Sequence, residues 1–399
     1  MKKLNLLIAL TIIACSCNDI KQNSDYVNTF IGTGGHGHTY PGASLPFGMM
    51  QLSPDTRLDG WDGCGGYHFS DSIIYGFSHT HLSGTGISDY GDVLLMPTRG
   101  KIQLTNGVKE SHGSKKAINQ LGYGSKFSHS NETSSPGYYQ VFLEDYSINV
   151  ELTTSIRSGI HKYTFNSKDS VNLILDLQHR DKLLNYKINI IDSLTISGFR
   201  YSSEWAREQR IHFIIKLSHP FKKYILSDDE NVLGLSFGKI EEPLITKVAI
   251  SSVDSLGALE NLEEIKELNF NQCKNNARKI WDNQLKKIEI NTKSEQKKEI
   301  FYTALYHSFL APNTYNDING NYNGMDLKKH NSSDKHYTVF SLWDTFRATH
   351  PLFTILETKR TNEFIRTLLR QYKDGGKLPI WELAANYTDC MIGYHAIPV

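Results

Sequence analysis

The chain has 399 residues, a length that favours two domains over one. It carries 43 Lys and Arg residues against 42 Asp and Glu residues, which gives a formal net charge of +1. Such a balance gives no electrostatic reason to expect binding to nucleic acid or to an anionic surface.

The first residues predict export. Two lysines precede an apolar run, Leu4–Ala14, that is too short to span a bilayer as a mature helix. The run ends in a small residue followed by Cys15 and, two positions later, Cys17, as in a bacterial lipoprotein signal. We interpret residues 1–17 as a signal peptide lipidated at Cys15 (or Cys17) and residues 18–25 as a tether. The predicted location is the periplasm or the cell surface, with the lipid as the sole contact with the membrane.

Residues 26–254 have the pattern of an antiparallel β-sandwich. Short runs of branched and aromatic residues alternate with turn-forming residues, without helical segments between them. The predicted strands are Tyr138–Leu143, Ile148–Leu152, Gly159–Phe165, Val171–Leu175, Leu194–Phe199, Ile211–Leu217, Val232–Phe237 and Thr246–Ile250.

Residues 255–399 have the pattern of helices. Apolar residues recur at helical spacing in Leu256–Leu268 and Phe270–Ile288. Thr292 with Glu295, and Ser341 with Asp344, are spaced as capping boxes at the start of further helices. A last stripe, Phe364 to Tyr372, is predicted to end at Gly375-Gly376.

One glutamate lies in apolar company. Glu382 follows Pro379, Ile380 and Trp381 and precedes Leu383 and Ala384 in the segment Gly375–Tyr394. Burial beside such neighbours raises the pKa of a carboxyl, which is how a glycosidase keeps a general acid protonated. The alternative is a partly exposed glutamate at the start of a helix, with neighbours that only pack.

The segment Thr33–Met96 is rich in Gly, Pro and His and predicts long ordered loops. Two His-x-His pairs, His36/His38 and His79/His81, could ligate a transition metal together with His68 and Asp89 or Asp92. No fixed zinc spacing accompanies them, so hydrogen-bonded loop histidines are the favoured interpretation.

Two further sites suggest sugar contacts. Trp61, between Gly60 and Asp62, is either a stacking platform for a sugar or an anchor for its loop. Asp344 and Arg347 are three residues apart at a predicted helix start, where they could pair with each other or bind sugar hydroxyls.

Long motifs in both halves of the sequence resemble those of one enzyme family. They are Tyr26–Thr33, Pro46–Met49, Gln51–Asp55, Gly76–Gly86, Tyr302–His307, Ser341–Arg347, His350–Leu352, Trp381–Leu383 and Cys390–Gly393. These segments resemble glycoside hydrolase family 92, the calcium-dependent exo-α-mannosidases. The resemblance covers Tyr26 to Val399.

The resemblance implies a β-sandwich packed on an (α/α)6 barrel, with the active site in the cleft between them. It implies removal of terminal α-linked mannose, with α-1,2 linkages favoured, from N-glycans or mannans by an inverting mechanism. Such a mechanism uses two carboxyl groups about 6.5–9.5 Å apart. Glu382 matches the general acid, and Asp344, Arg347, Trp61 and the pair His79/His81 are the implied substrate contacts. The implied cofactor is Ca²⁺, which prefers oxygen ligands to imidazole.

The sequence departs from the family pattern in one respect. The family carries its general base in an Asp-rich, Gly-flanked segment, and no such stretch occurs in these 399 residues. The base and most calcium ligands are therefore expected beyond residue 399, either in the same chain or in a downstream chain that completes the barrel. We interpret the chain as the acid-bearing portion of a mannosidase, without the general base and with its activity on its own left open. The alternatives are a non-catalytic carbohydrate-binding surface lipoprotein and a His-ligated zinc hydrolase.

Overall fold

The computed structural model describes residues 21–109, 116–117, 122–165 and 169–399. The predicted signal peptide, with Cys15 and Cys17, lies outside these ranges. Within them, no helix is both long enough and apolar enough to cross a membrane.

The first part of the chain consists of β-strands joined by loops. In chain order the strands are β1 (Ala43–Ser44), β2 (Gln51–Asp55), β3 (Ile73–Ile74), β4 (Gly76–Ser78), β5 (Leu94–Arg99), β6 (Val108–Lys109), β7 (Lys116–Ala117), β8 (Ser125–Lys126), β9 (Glu132–Ser135), β10 (Tyr138–Leu143), β11 (Ile148–Thr154), β12 (Ser158–Phe165), β13 (Val171–Asp176), β14 (Lys182–Asp192), β15 (Thr195–Ser203), β16 (Gln209–Leu217), β17 (Lys223–Leu226), β18 (Val232–Gly238) and β19 (Leu244–Ser251).

Most of these strands form two large antiparallel sheets, while β3 pairs with β8 and β6 with β7 in two-stranded sheets. One has the order β1-β2-β4-β5-β13-β18-β17 and the other the order β14-β15-β16-β19-β12-β11-β10-β9. Side chains from both sheets fill the core between them, including Phe77, Leu95, Leu175, Phe213 and Val248, each at most 1% exposed. All eight predicted strands are present, which confirms the sandwich.

The second part of the chain is mainly helical. Its helices are α1 (Ser255–Asn261), α2 (Phe270–Leu285), α3 (Glu295–Ser308), α4 (Leu342–Thr345), α5 (Thr349–Leu356) and α6 (Thr358–Gly375). Short strands lie between and after them: β20 (Asn313–Thr314), β21 (Asn321–Asn323), β22 (Lys329–Asn331), β23 (Tyr337–Thr338), β24 (Phe340–Ser341), β25 (Trp381–Leu383) and β26 (Asn386–Tyr387). The change from strands to helices falls between β19 and α1.

The helix ends differ from two of the predicted caps. Helix α3 is capped by Ser294, whose hydroxyl accepts from Lys297 N, and not by Thr292. Ser341 precedes α4, but its side chain makes no cap hydrogen bond to the backbone and donates to the Asp344 carboxylate instead. Helix α6 does end as predicted, with Gly376 in the left-handed conformation at φ 79°.

The predicted tether is not free over its described part. Residues 23–26 form a 3-10 helix, and Ser24 is buried with its hydroxyl 2.5 Å from Asp282 Oδ1. Arg278 on the same helix, α2, forms an ion pair with Asp25 at 2.7 Å. Residues 21–25 are therefore better described as the first packed segment of the fold.

The sandwich and the helices share a second core. Phe47, fully buried and at φ 55°, packs its ring against Phe309, Phe353 and Phe364 with centroid separations of 5.4–6.0 Å. Its backbone N donates to Phe309 O at 2.8 Å. This contact fixes the two parts relative to each other and so defines the shape of the cleft between them.

Candidate active site

A cleft of about 630 Å³ lies between the sandwich loops and the helical part. Its sandwich side is formed by residues from four loops: His36, His38, Trp61, Ser83–Ile87 and Trp205. Its helical side includes Pro312, Val339, Ser341, Trp343–Thr345, His350, Trp381 and Met391. This cleft lies where the family resemblance implies the active site, between the two parts.

Tryptophan side chains dominate the cleft walls. Four of the chain's five tryptophans, all within the described ranges, line it: Trp61, Trp205, Trp343 and Trp381. Trp61 is 61% exposed, and the rings of Trp205 and Trp381 meet edge to face at 6.0 Å. Trp343 Nε1 is buried without a hydrogen-bond partner within the described part of the chain. Flat apolar faces with a free N–H donor suit a sugar ring.

Asp344 is exposed in the cleft wall, on the single turn of α4. Ser341 Oγ donates to its Oδ2 at 2.6 Å, which orients the carboxylate. Arg347 does not pair with it; the guanidinium stacks over the Phe346 ring at 4.8 Å and lies outside the cleft lining. Asp344 thus retains one oxygen for a ligand.

Glu382 is held in a small hairpin. It lies on β25, which pairs with β24 through Phe340 and with β26 through Tyr387. Thr338 Oγ1 and Ala385 N both donate to its Oε1 at 2.8 Å. Its Oε2 is buried and unbonded among the described residues. Because the side chain is 1% exposed, burial raises the pKa of Glu382 to about 7 despite the two donors.

The side chain of Glu382 does not reach the cleft. Neighbouring residues of a strand point to opposite faces, so Trp381 faces the cleft and Glu382 points away from it. Thr338 and Ala384, next to Glu382, line a separate cavity of about 20 Å³. The carboxyl therefore lies one layer behind the cleft wall.

The backbone around this carboxyl is strained. Ala384 and Ala385, the two turn residues of the hairpin, have φ of 48° and 61°, where such turns favour Asn-Gly. Val339, a β-branched residue in the cleft wall, has φ 65°. Left-handed conformations cost a residue other than glycine about 1–2 kcal/mol each. The left-handed turn at Ala384 and Ala385 directs Ala385 N toward Glu382 Oε1. Such strain is often found at functional sites.

Replacing Glu382 by Gln is expected to stabilise the fold at alkaline pH. Below pH 4.5 the carboxyl is protonated in the folded and unfolded states, and above about pH 7 both states are ionised. The raised folded-state pKa therefore contributes stability at low pH that is lost as pH rises through 7. Because the pKa is raised from 4.5 to about 7, the parent loses about 3 kcal/mol of unfolding free energy between pH 4 and pH 8 that Glu382→Gln keeps.

The measurement is urea unfolding of both proteins across this pH range. Glu289→Gln, at an exposed position, is the charge-matched control. A difference between Glu382→Gln and the parent that stays constant with pH would contradict the raised pKa.

His79 and His81 lie inside the sandwich and not in the cleft. His79 Nδ1 donates to Val93 O at 2.6 Å, its Nε2 is 2.9 Å from His161 Nε2, and burial lowers its pKa to about 4. His81 Nδ1 donates to Gln51 O at 2.8 Å. These contacts are those of structural histidines.

The other predicted metal ligands are also engaged elsewhere. His68 bonds through Nδ1 to the Ser70 hydroxyl at 2.8 Å. Asp92 pairs with Arg200 at 2.5 Å in the sandwich interior. Asp89 accepts from Trp205 N at 3.2 Å and so holds that ring at the cleft. Of the predicted set, His36 and His38 lie together at the cleft, joined by Asp62.

The described residues do not form a calcium site. Calcium takes about six to eight oxygen ligands, several of them carboxylates. Within the described ranges, Asp344 is the one acidic side chain that lines the cleft. A single carboxylate beside tryptophans does not fit this ion.

Several cleft residues were missed in the sequence. Trp205 lies between strands β15 and β16, and its signal was a large aromatic residue in a turn, like that of Trp61. His350 lines the cleft, and burial lowers its pKa to about 4, which leaves a neutral ring. The motif His350–Leu352 gave no indication that the His350 side chain lines the cleft.

The chain matches the models of one protein family and one curated relative. A family model described as the glycosyl hydrolase family 92 N-terminal domain matches residues 26–260, and one for its catalytic domain matches residues 257–399. A curated relative, an uncharacterized secreted glycosidase of Arthroderma benhamiae, is 24% identical over 335 residues, which are 74% of this chain and 42% of that protein.

Solved structures extend the comparison. The family GH92 alpha-mannosidase BT3965 from Bacteroides thetaiotaomicron has 33% identity and a TM-score of 0.88, covering 95% of this chain and 54% of that one. Its complex with mannoimidazole gives 34% identity and a TM-score of 0.88, covering 94% and 52%. The inverting mannosidase BT2199 from the same species has 26% identity and a TM-score of 0.81, covering 94% and 52%. The chain thus spans about half the length of these solved relatives. Because the two family models together match residues 26–399, the chain belongs to glycosyl hydrolase family 92.

Proposed function

We propose that the protein is the cleft-bearing portion of an exo-acting α-mannosidase that takes terminal α-linked mannose from N-glycans or mannans, with α-1,2 linkages favoured. The observation that carries this is the cleft of about 630 Å³ lined by four tryptophans. The complex of BT3965 with mannoimidazole, a structural relative at 34% identity, supports mannose as the sugar.

In this proposal Glu382 is the general acid of an inverting hydrolysis. Its pKa of about 7 leaves about half of it protonated at neutral pH, so that it can protonate a leaving oxygen. Its carboxyl lies behind Trp381, so the proton reaches the cleft through a bridging group or after Trp381 moves aside. Among the described residues that line the cleft, Asp344 is the sole carboxylate, so the second carboxylate and the calcium ligands are not assigned among them.

Asp344 and Trp343 are the proposed contacts to the terminal sugar. Ser341 leaves Asp344 Oδ1 free to accept from a hydroxyl, and Trp343 Nε1 is a free donor in the same wall. Trp61, on the opposite wall and more exposed, is the proposed platform for the next sugar. Arg347, His79 and His81 have no place in this binding set, since none of them lines the cleft.

An exposed apolar face supports the proposed completion of the barrel. Ile365, Leu369 and Tyr372, spaced i, i+4 and i+7 along one face of α6, are 39–57% exposed. Apolar side chains exposed together indicate a surface that another element covers. We assign this face to further helices of an (α/α)6 barrel, in the same chain or in a downstream one.

Export with a lipid on Cys15 (or Cys17) is part of the same proposal. The relative from Arthroderma benhamiae is described as a secreted glycosidase. Metabolic labelling with a fatty acid, compared between the parent and a Cys15→Ala variant, tests the anchor. Labelling that persists in Cys15→Ala but not in Cys17→Ala would move the anchor to Cys17.

Substitution of Trp343 by Ala is expected to weaken binding of α-mannosides by about tenfold or more, since it removes a stacking face and a hydrogen-bond donor. Isothermal titration with an α-mannobiose measures this. Tyr224→Ala is the control, because Tyr224 is 56% exposed and lies outside the cleft lining. Unchanged affinity in Trp343→Ala would contradict this cleft as the sugar site.

A non-catalytic carbohydrate-binding protein is the second candidate. The position of Glu382 behind the cleft wall favours it, because the cleft then binds sugar without a proton donor in contact. Binding of mannan without release of mannose, in a form with a complete barrel, would select this function.

A further inference from the structure

Three side chains with metal-binding atoms meet at the mouth of the cleft. They are His36, His38 and Asp62, and one ligand atom from each lies within 4.8 Å of the others. His36 Nδ1 is 2.6 Å from Asp62 Oδ1, and His38 Nε2 is 4.0 Å from the same oxygen. In the sequence, His36 and His38 are two residues apart and Asp62 is 24 residues further on.

His38 shows that the cluster is incomplete without a ligand. The residue is 7% exposed, and its Nε2 is buried without a hydrogen-bond partner among the residues that the structure describes. Its ring is fixed edge-on against Trp61, with centroids 4.8 Å apart. An unbonded buried nitrogen is costly unless something fills its place.

Asp62 has capacity for a metal ion. Its Oδ1 lies 2.6 Å from His36 Nδ1, so the two side chains already share one side of the cluster. Arg57, 4.0 Å from its Oδ2, is committed to Asp71 at 2.5 Å, so it does not occupy the carboxylate. His36 is exposed and free to move by the ångström or so that closing a coordination shell requires.

We propose that His36, His38 and Asp62 bind a divalent transition-metal ion of the zinc class. Zinc binds imidazole nitrogen at about 2.0–2.1 Å and carboxylate oxygen at about 2.0–2.2 Å, commonly with three protein ligands and one open position. Imidazole ligands suit this class and not calcium, so the site is separate from any calcium site. The inference goes beyond the proposed function; metal binding does not depend on that function, whereas the contact of the ion with a sugar rests on it.

The open position of the ion faces the cleft beside Trp61, since His36, His38 and Trp61 all line it. A water or a vicinal pair of sugar hydroxyls would complete the shell there. The site would thus fix the orientation of a sugar that stacks on Trp61, away from the reacting bond near Trp343 and Asp344.

The test uses untagged protein, because a polyhistidine tag binds zinc itself. Protein equilibrated with zinc chloride and freed of excess by gel filtration is expected to hold one zinc per chain by elemental analysis. Cobalt substitution is expected to give the visible bands of a four-coordinate ion. Replacement of His36, which is exposed, by Ala leaves the fold intact and is expected to lower zinc affinity by about 100-fold or more.

His38→Gln, which keeps the volume of the buried side chain, is expected to lose zinc in the same way. His330→Ala is the matched control, because His330 and Asp326 form a pair at 2.9 Å that lacks a second imidazole. Zinc bound well below one equivalent by the parent protein, or retained at full affinity by His36→Ala and His38→Gln, would overturn the proposal. His36 and Asp62 would then be an ordinary ion pair.

Discussion

Glu382→Gln is expected to lower turnover of unactivated α-mannosides by about 10²–10⁴-fold, the usual contribution of a general acid. The amide has nearly the shape of the carboxyl, and its oxygen can still accept from Thr338 and Ala385. What it lacks is a transferable proton. The measurement is kcat, in a form with a complete barrel, on a mannobiose and on an aryl mannoside with a good leaving group.

The two substrates separate an acid from a structural residue. An aryl leaving group of low pKa needs little protonation, so Glu382→Gln should keep most of its turnover there. The parent should also lose activity on mannobiose as pH rises above about 7, where Glu382 ionises. Equal losses on both substrates, or none on either, would remove Glu382 from the acid role and favour a structural one.

The sandwich could be predicted because its strands carry their own signal. Runs such as Tyr138–Leu143 are bounded by turn residues and fully define one strand, β10. The end of helix α6 could also be predicted from local sequence, because Gly376 ends it in the left-handed conformation that favours glycine. Caps were less certain, because Thr292 and Ser294 are both competent and only the path of the chain selects Ser294.

The sequence predicted which residues form the candidate site, but not the direction in which their side chains point. The apolar neighbours of Glu382 indicated burial, and the raised pKa follows from burial. Which face of β25 the carboxyl occupies depends on its register with Phe340 of β24, some 40 residues away in the chain. For the same reason the sequence could not distinguish the pair His79/His81 from the pair His36/His38. Contacts with Val93 and Gln51 place His79 and His81 inside the sandwich.

Substitution of Arg200 by Met is expected to destabilise the protein by about 3–5 kcal/mol, the usual cost of leaving a buried charge without its partner. Arg200 is fully buried, pairs with Asp92 at 2.5 Å and donates to Leu177 O at 2.8 Å. Asp92 also accepts from Thr80 Oγ1 at 2.6 Å, which closes the base of the loop that carries the cleft residues Ser83–Ile87. Loss of Arg200 should therefore weaken mannoside binding as well as the fold.

Urea unfolding at pH 7 measures the loss of stability, and titration with mannobiose measures the loss of binding. Arg207→Met is the control, because its ion pair with Asp389 is exposed and worth about 0–1 kcal/mol. Adding Asp92→Asn to Arg200→Met removes the orphaned charge, so the double variant should recover part of the lost stability. A cost within 1 kcal/mol of that of Arg207→Met would contradict the ion pair as the support of this loop. Recovery of stability without recovery of binding would instead show that the cleft needs the guanidinium itself, which joins Asp92 at the loop base to Leu177 O and Arg180 O.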